Sequence, residues 1–487
     1  MDYIILTEFV LYFLLIIGVG YFTSRTKMSH DVFILGGKKL PGWALAFSER
    51  ATGESAWLLL GFTGFVFATG LSGIWVAAGI ASGIIFAWAF LSRKFMREAE
   101  KYNVLTLPDY LATKFGEKAK MIRWLATILI ASFFVFYVGA QLAGAGKLFL
   151  TTFEMNETAG IIIATLVIIA TAFFGGFISV VWTDMIQSIM MLITLCVLPI
   201  VALIYVWTND LSIAESLITA GPSFNAWLGG TTGFAIGVLF FNNFSWFFGY
   251  LGGQPQLSAR FMALKNEKEA KQGIWIAVIW TLLAYTGAFV IGLAAIAMYK
   301  QGSFVDVEIV LPQMIIDLMP PWISGLLLAG IMAAIITTAN SQLMVVTSSV
   351  SEDIIHKTLG LNVTDRQLLL ISRMTVLLAG VTGMIIALFS DSLLYLVVSW
   401  AWAGVGGTLS PAILLTFFWK RYSSVGLITT IISGFVFTVI WISTPLDGMI
   451  TSRFTTFFIA SIFGIIFSLI FPDSQQKKKE SVIEQRV

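Results

Sequence analysis

Residues 48–57 read Ser48-Glu49-Arg50-Ala51-Thr52-Gly53-Glu54-Ser55-Ala56-Trp57, between the apolar flanks Leu40–Phe47 and Leu58–Ala68. A hydrocarbon core takes about 20 helical residues to cross. A span over 40–70 therefore carries Glu54 to membrane depth, where a carboxylate is costly and marks a functional site by default. Gly53 adds backbone freedom and Thr52 offers a local hydrogen-bond partner, so the pattern predicts an unwound helix here. Unwound backbone is tolerated in a bilayer only inside protein or against a watery cavity. Two readings stand: a broken helix whose freed carbonyls hold an ion beside a solute, or a kinked core helix closed by a Glu54–Arg50 pair.

The rest of the chain puts this stretch in a membrane. Of its 487 residues 58% are hydrophobic and 11% charged, against about 25% charged in soluble domains. The mean hydropathy is +0.89. The net charge of +2 comes from bases scattered through short loops, so no nucleic-acid partner is expected. The single cysteine, Cys196, forms no intrachain disulfide and no cysteine metal site. Two histidines, His30 and His356, fall in expected loops, which argues against a haem or zinc enzyme of the membrane. The first apolar run lacks a basic leader, so no cleavable signal is expected.

Thirteen apolar runs are long enough to span, near 3–23, 40–70, 74–95, 121–150, 158–178, 182–207, 231–255, 273–299, 321–349, 367–389, 391–418, 424–444 and 454–471. Lys and Arg gather in cytoplasmic loops. Here every second loop is basic: Arg25, Lys27, Lys38 and Lys39; Arg93 to Lys120; Arg260 to Lys271; Lys420 and Arg421; and Lys477 to Lys479 in the tail. The alternate loops carry Glu154 and Glu157, Asp210 and Glu215, and Asp391. This parity predicts an outside N-terminus and a cytoplasmic C-terminus in the plasma membrane.

A second break is legible in the seventh span, which ends Ser245-Trp-Phe-Phe-Gly-Tyr-Leu-Gly-Gly-Gln-Pro255. Paired glycines followed by proline stop a helix within a turn. Interrupted spans at matching places in two halves point to a transporter site. The expected division is therefore an N-terminal extra helix and loop at 1–39, inverted five-helix repeats at 40–207 and 231–418, two further helices at 419–472, and a tail at 473–487. In the ninth span Ala334, Thr337 and Thr338 share one helix face. Two hydroxyls and a carbonyl with little charge suit a monovalent hard cation better than calcium. The competing reading is that these hydroxyls bond their own helix or a neighbour.

Together these residues resemble the sodium/solute symporter family, and within it most closely the sodium/proline symporters. The likeness runs from about residue 33 to 425. It includes Ile34-Leu-Gly-Gly-Lys-Lys-Leu, Ser55-Ala-Trp-Leu-Leu-Leu-Gly, Leu105-Thr-Leu-Pro-Asp-Tyr, Phe174-Gly-Gly-Phe-Ile-Ser-Val-Val-Trp-Thr-Asp184, Gly253-Gln-Pro, Ala259-Arg-Phe-Met-Ala, Ala333–Gln342 and Trp400-Ala-Trp-Ala-Gly-Val-Gly. The resemblance implies an all-α transporter of five-plus-five inverted-repeat type, not an enzyme. It implies a sodium ion held by the carbonyls of Ala51, Glu54 and Ala334 and the hydroxyls of Thr337 and Thr338, with Asp184 on the ion path. It implies that a small solute, proline first, meets Ser55, Trp57, Tyr137, Trp246, Tyr250 and Pro255. Aromatic walls and half-helix ends suit a small apolar zwitterion.

Two departures stand out. Where the proline symporters have Ala-Ser-Asp-Met-Ser-Gly-Trp, this chain has Ala51-Thr-Gly-Glu-Ser-Ala-Trp57, so the acid is one place later, at Glu54. The spacing from Tyr250 to Pro255 is one residue longer than in the family. Glu54 has three readings: neutralising the ion site, pairing with Arg50, or carrying a proton. Thr183-Asp184 also reads as a helix N-cap, and Trp400 and Trp402 as packing rather than solute contacts. Proton coupling and another solute (an amino acid, monocarboxylate, pantothenate or sugar) remain the alternatives. Partners are expected to be the solute and the bilayer, with the chain acting as a monomer. A channel would show pore loops or charged rings and an ATP-driven pump a P-loop; the sequence has neither.

Overall fold

The computed structural model describes residues 2–24, 34–38, 40–174, 176–361, 363–390 and 392–473. His30, Arg25, Lys27, Lys39, Asp391 and Lys477 to Lys479, used above, lie outside them. Among the described residues the chain is all helix and turn. Ten helical stretches are long and apolar enough to cross a membrane. One of them, Gly42–Tyr102, is 61 residues long and holds two of the expected spans, parted by a tight turn at Gly70–Gly73. Two further expected spans fall on the shorter apolar helices Glu157–Phe173 and Phe234–Gly249.

Two expected boundaries move. The run placed at 158–178 ends at Phe174, and the next helix already begins at Phe177 rather than 182. Apolar residues continue across this corner, so hydropathy alone cannot see it. The helix after 321 continues past Ser348 as a π-helical turn to Thr358, which places His356 on a helix and not in a loop.

Eight helices frame the interior: α1 (Tyr3–Ser24), α2 (Gly42–Ala56), α3 (Ala119–Phe153), α4 (Phe177–Thr208), α5 (Pro255–Met262), α6 (Glu267–Met298), α7 (Pro321–Ser348) and α8 (Leu394–Phe418). α2 packs against α4, α5, α6 and α7, and its residues from Ser48 to Ala56 are all buried. Large apolar side chains such as Leu14, Trp275, Ile279 and Leu378 point outward. This is the arrangement lipid demands: hydrocarbon outside, polar groups inside where other helices can satisfy them.

Two junctions place α2 and α5. The amide of Gly42, at the start of α2, donates to Glu269 Oε2 on the first turn of α6 (2.5 Å). A side chain at residue 42 would strike the Glu269 backbone at 2.4 Å, so only glycine allows this approach. After Gly249 the chain turns through Gly252, at φ +90°, and restarts with Pro255 in the first turn of α5. Proline suits that position because its missing N–H would be unpaired anyway. Gly253 lies against α8, where a Cβ would meet the Ser410 nitrogen at 2.2 Å.

Candidate functional site

The first break lies at Ser55, with φ 55° and ψ −176°. That conformation is close to a glycine-only region and costs other residues about 1–3 kcal/mol. The unwinding expected at Gly53 therefore falls two residues later, and Gly53 stays helical. Side chains explain the shift, since they supply partners just beyond Ser55. Gln141 Oε1 on α3 accepts the Ala56 amide (3.1 Å), and Ser55 Oγ accepts the Trp57 amide (3.0 Å). Backbone donors freed inside a membrane need such partners. The chain then continues as a π-helical turn, Trp57–Phe62.

Just before the break, α2 meets α7 through oxygen atoms. Thr338 Oγ1 is 3.2 Å from the Thr52 carbonyl and 3.5 Å from the Ala51 carbonyl. Thr337 donates its hydroxyl to Asp184 Oδ1. Ala334 lies one turn earlier on α7, fully buried. The Glu54 carbonyl accepts the Trp57 amide, while its side chain pairs elsewhere. The two threonine hydroxyls, each donating to an oxygen, can turn their lone pairs to a cation that displaces those bonds. The set is hard, oxygen-only and of low charge, the chemistry of a monovalent cation.

Asp184 is no N-cap. α4 begins at Phe177 with Gly176 as its cap, so Asp184 lies about two turns inside the helix. Thr183 bonds back to the Ser179 and Val180 carbonyls. The Asp184 carboxylate accepts from Ser48 (2.7 Å) and pairs with Arg260 on α5 (3.1 Å). Arg260 also donates to Ser341 (2.7 Å), which lies 2.9 Å from Thr52 Oγ1. Arg260, counted above among loop bases, is thus a buried counter-charge. The Asp184 carboxylate thus stands beside the threonine pair of α7, with Arg260 as its counter-charge.

A second buried ionic group surrounds Arg50. It pairs with Glu54 Oε1 (2.6 Å) and with both oxygens of Glu49. Trp88 donates to Glu49 (2.8 Å), and Tyr285 on α6 donates to the other Glu54 oxygen. The Tyr285 ring stands 5.7 Å from Phe62, whose ring lies 5.7 Å from Trp57 in turn. The Glu54–Arg50 pair therefore forms, and it reaches an aromatic group on the far side of the break.

That aromatic group brings five of the six expected solute residues together. Tyr137 donates to Ser55 Oγ (3.3 Å), and Trp402 donates to Tyr137 (3.1 Å). The Trp402 ring stands 4.3 Å from Tyr250 and 6.0 Å from Trp246. Trp57 stands 4.4 Å from Trp246. Pro255 is apart from them: it lines a cavity with Leu105, Arg260, Met344 and Ser349. Trp400 donates to Asp447 (2.8 Å), away from the group.

Sequence reasoning missed Gln141, Tyr285 and Arg260, and read Trp402 only as packing. Gln141 carried a signal, being one helical turn after Tyr137 and so on the same face. Tyr285 carried none without the fold, and Arg260 stood in a family motif with no role attached to it.

The family model described as the sodium:solute symporter family matches residues 33–434. The high-affinity proline transporter PutP of Bacillus subtilis is 33% identical over 452 residues, 92% of this chain and 94% of its own. The sodium/proline symporter of Escherichia coli is 29% identical over 474 residues, 96% of this chain and 93% of its own. A solved structure of a Na+-coupled sialic acid symporter, substrate-bound and outward-open, superposes with a TM-score of 0.79. It has 21% identity and covers 97% of this chain and 99% of its own. A nucleobase-cation-symport-1 family transporter in a closed conformation gives 0.51 at 12% identity, covering 93% and 99%.

Proposed function

Because this chain belongs to the sodium:solute symporter family, and is a sodium-coupled solute symporter of the membrane and not an enzyme, we propose that its solute is proline. The observation that carries this reading is the aromatic group hydrogen-bonded to the Ser55 break. Tyr137, Trp246 and Tyr250 offer apolar walls for a small ring, and Ser55 offers a polar edge at the break. The named proline transporters at about 30% identity support it.

In this reading sodium binds first, between the Ala51, Glu54 and Ala334 carbonyls and the Thr337 and Thr338 hydroxyls. It fastens α2 to α7 and so fixes the Ser55 break in its binding geometry. Asp184 receives the ion on its way to the cytoplasm, exchanging Arg260 for it. The inverted repeats 40–207 and 231–418 then rock against each other, within thirteen crossings that leave the N-terminus outside and the C-terminus in the cytoplasm of a plasma-membrane monomer. A tenfold sodium gradient supplies about 1.4 kcal/mol, and a potential of roughly 100 mV adds about 2.3 kcal/mol per charge. One sodium ion sustains a roughly 500-fold solute gradient on those figures.

Proton coupling is the second reading, favoured by one observation: Glu49 and Glu54 share a single Arg50, a buried group with one acid in excess. Proteoliposome uptake of labelled proline, other amino acids, pantothenate, monocarboxylates and sugars, with sodium and proton gradients imposed separately, tests both. Sodium-driven proline uptake is expected. Uptake driven by protons alone, or of a different solute alone, would replace the reading.

A further inference from the structure

Gln141 lies on α3, fully buried, one turn beyond Tyr137. Its side-chain oxygen is committed, because it accepts the Ala56 amide at 3.1 Å and only the oxygen of a carboxamide can accept. The network therefore fixes which end of the amide points where. Its nitrogen, with two N–H donors, has no hydrogen-bond partner. A buried donor without an acceptor is costly. Yet this donor stands at the Ser55 break, beside the Tyr137–Ser55 hydrogen bond and on the same helix face as Tyr137.

We infer that Gln141 is a specificity-determining residue: its side-chain N–H groups donate to a carboxylate of the transported solute. The inference rests on the proposed solute site at the break and deepens it, because it names the anionic group that site requires. Three features carry it. The donor is oriented by a bond to the break itself, so it holds its place as the solute arrives. It is neutral, so it costs the membrane less than a lysine or arginine there. It pairs best with an ionised acceptor, since a charge-assisted hydrogen bond is about twice as strong as a neutral one. Tyr137 and Ser55, already bonded to each other, are left to position the solute's remaining polar group.

Purified full-length protein in proteoliposomes, under an imposed sodium gradient, tests this with L-proline and its carboxylate-free analogue L-prolinamide as competitors of labelled solute. Gln141→Glu keeps an oxygen for the Ala56 amide, so the break is held, but presents negative charge where the donor was. Gln141→Met removes both roles. L-Proline is expected to compete about tenfold or more better than L-prolinamide in the wild type. In Gln141→Glu that preference is expected to vanish or reverse, at normal membrane abundance. If Gln141→Glu keeps the wild-type preference, Gln141 only holds the break and the inference falls, while the proline reading stands. If the wild type takes up a different carboxylate but not proline, the proline reading falls and the preference is scored on that solute against its amide. A wild type that takes up only carboxylate-free solutes, or nothing from the panel, overturns both.

Discussion

Asp184 on α4 and Arg260 on α5 meet 3.1 Å apart, both buried. They join Ser48, Thr52, Thr337 and Ser341 into one polar group between α2, α4, α5 and α7. The pair neutralises two charges that neither side chain could carry alone in a bilayer. In the proposed ion path, that carboxylate would be the next group an ion met after Thr337.

Removing one partner leaves the other charge buried and alone, at a cost of about 3–5 kcal/mol. Asp184→Asn and Arg260→Gln should each lower the thermal stability of the purified protein strongly. The double substitution should recover much of that loss. Thermal unfolding of the four proteins checks the coupling, and additive losses would show that the pair is not a unit.

Thr338→Ala removes the hydroxyl nearest the Ala51 and Thr52 carbonyls. It should raise the sodium concentration for half-maximal uptake about tenfold or more at unchanged membrane abundance, since it deletes one hard ligand. Thr338→Ser should restore it. An unchanged sodium dependence in the alanine variant would take Thr338 out of the ion site.

Ser55→Gly removes a serine from a backbone conformation that glycine adopts freely. It should stabilise the fold by relieving strain of about 1–3 kcal/mol. The same change deletes the hydroxyl that accepts from Tyr137 and Trp57, so proline affinity should fall. Ser55→Ala loses the hydroxyl and keeps the strain, and should be the less stable of the two. Unfolding temperature measured beside uptake separates these effects.

Arg50 and its two acids give a graded test. Glu54→Gln leaves Arg50 paired to Glu49 and keeps an acceptor for Tyr285. Folded protein should persist, and sodium-driven uptake should continue with the wild-type pH profile. A flattened pH profile would instead favour the proton-coupled reading. Arg50→Met strands both carboxylates, and size-exclusion of detergent extracts should show little folded protein.

How much of this was legible without coordinates depends on what each residue constrains locally. Gly252, Gly253 and Pro255 act on their own backbone, so the second break reads directly from the chain. Ser55 carries no such mark, and the neighbouring Gly53 drew the expectation to the wrong residue. The Ala56 amide just beyond the break is taken up by Gln141, which is distant in sequence. The threonine face of α7 follows from helical spacing alone. Arg260 did not, because a base after an apolar run looks like a loop charge until α5 folds it against Asp184. Tyr285 joins Glu54 to the Phe62 ring only once α2 and α6 are side by side.

The bond between the Gly42 amide and Glu269 has a mechanical meaning. It clasps the leading ends of α2 and α6, and the Glu269 backbone leaves no room for anything bulkier at position 42. While that clasp holds, these two ends travel as one piece. In the rocking motion proposed above, the pivot would then lie elsewhere, at the Ser55 break or the Gly252–Gly253 corner.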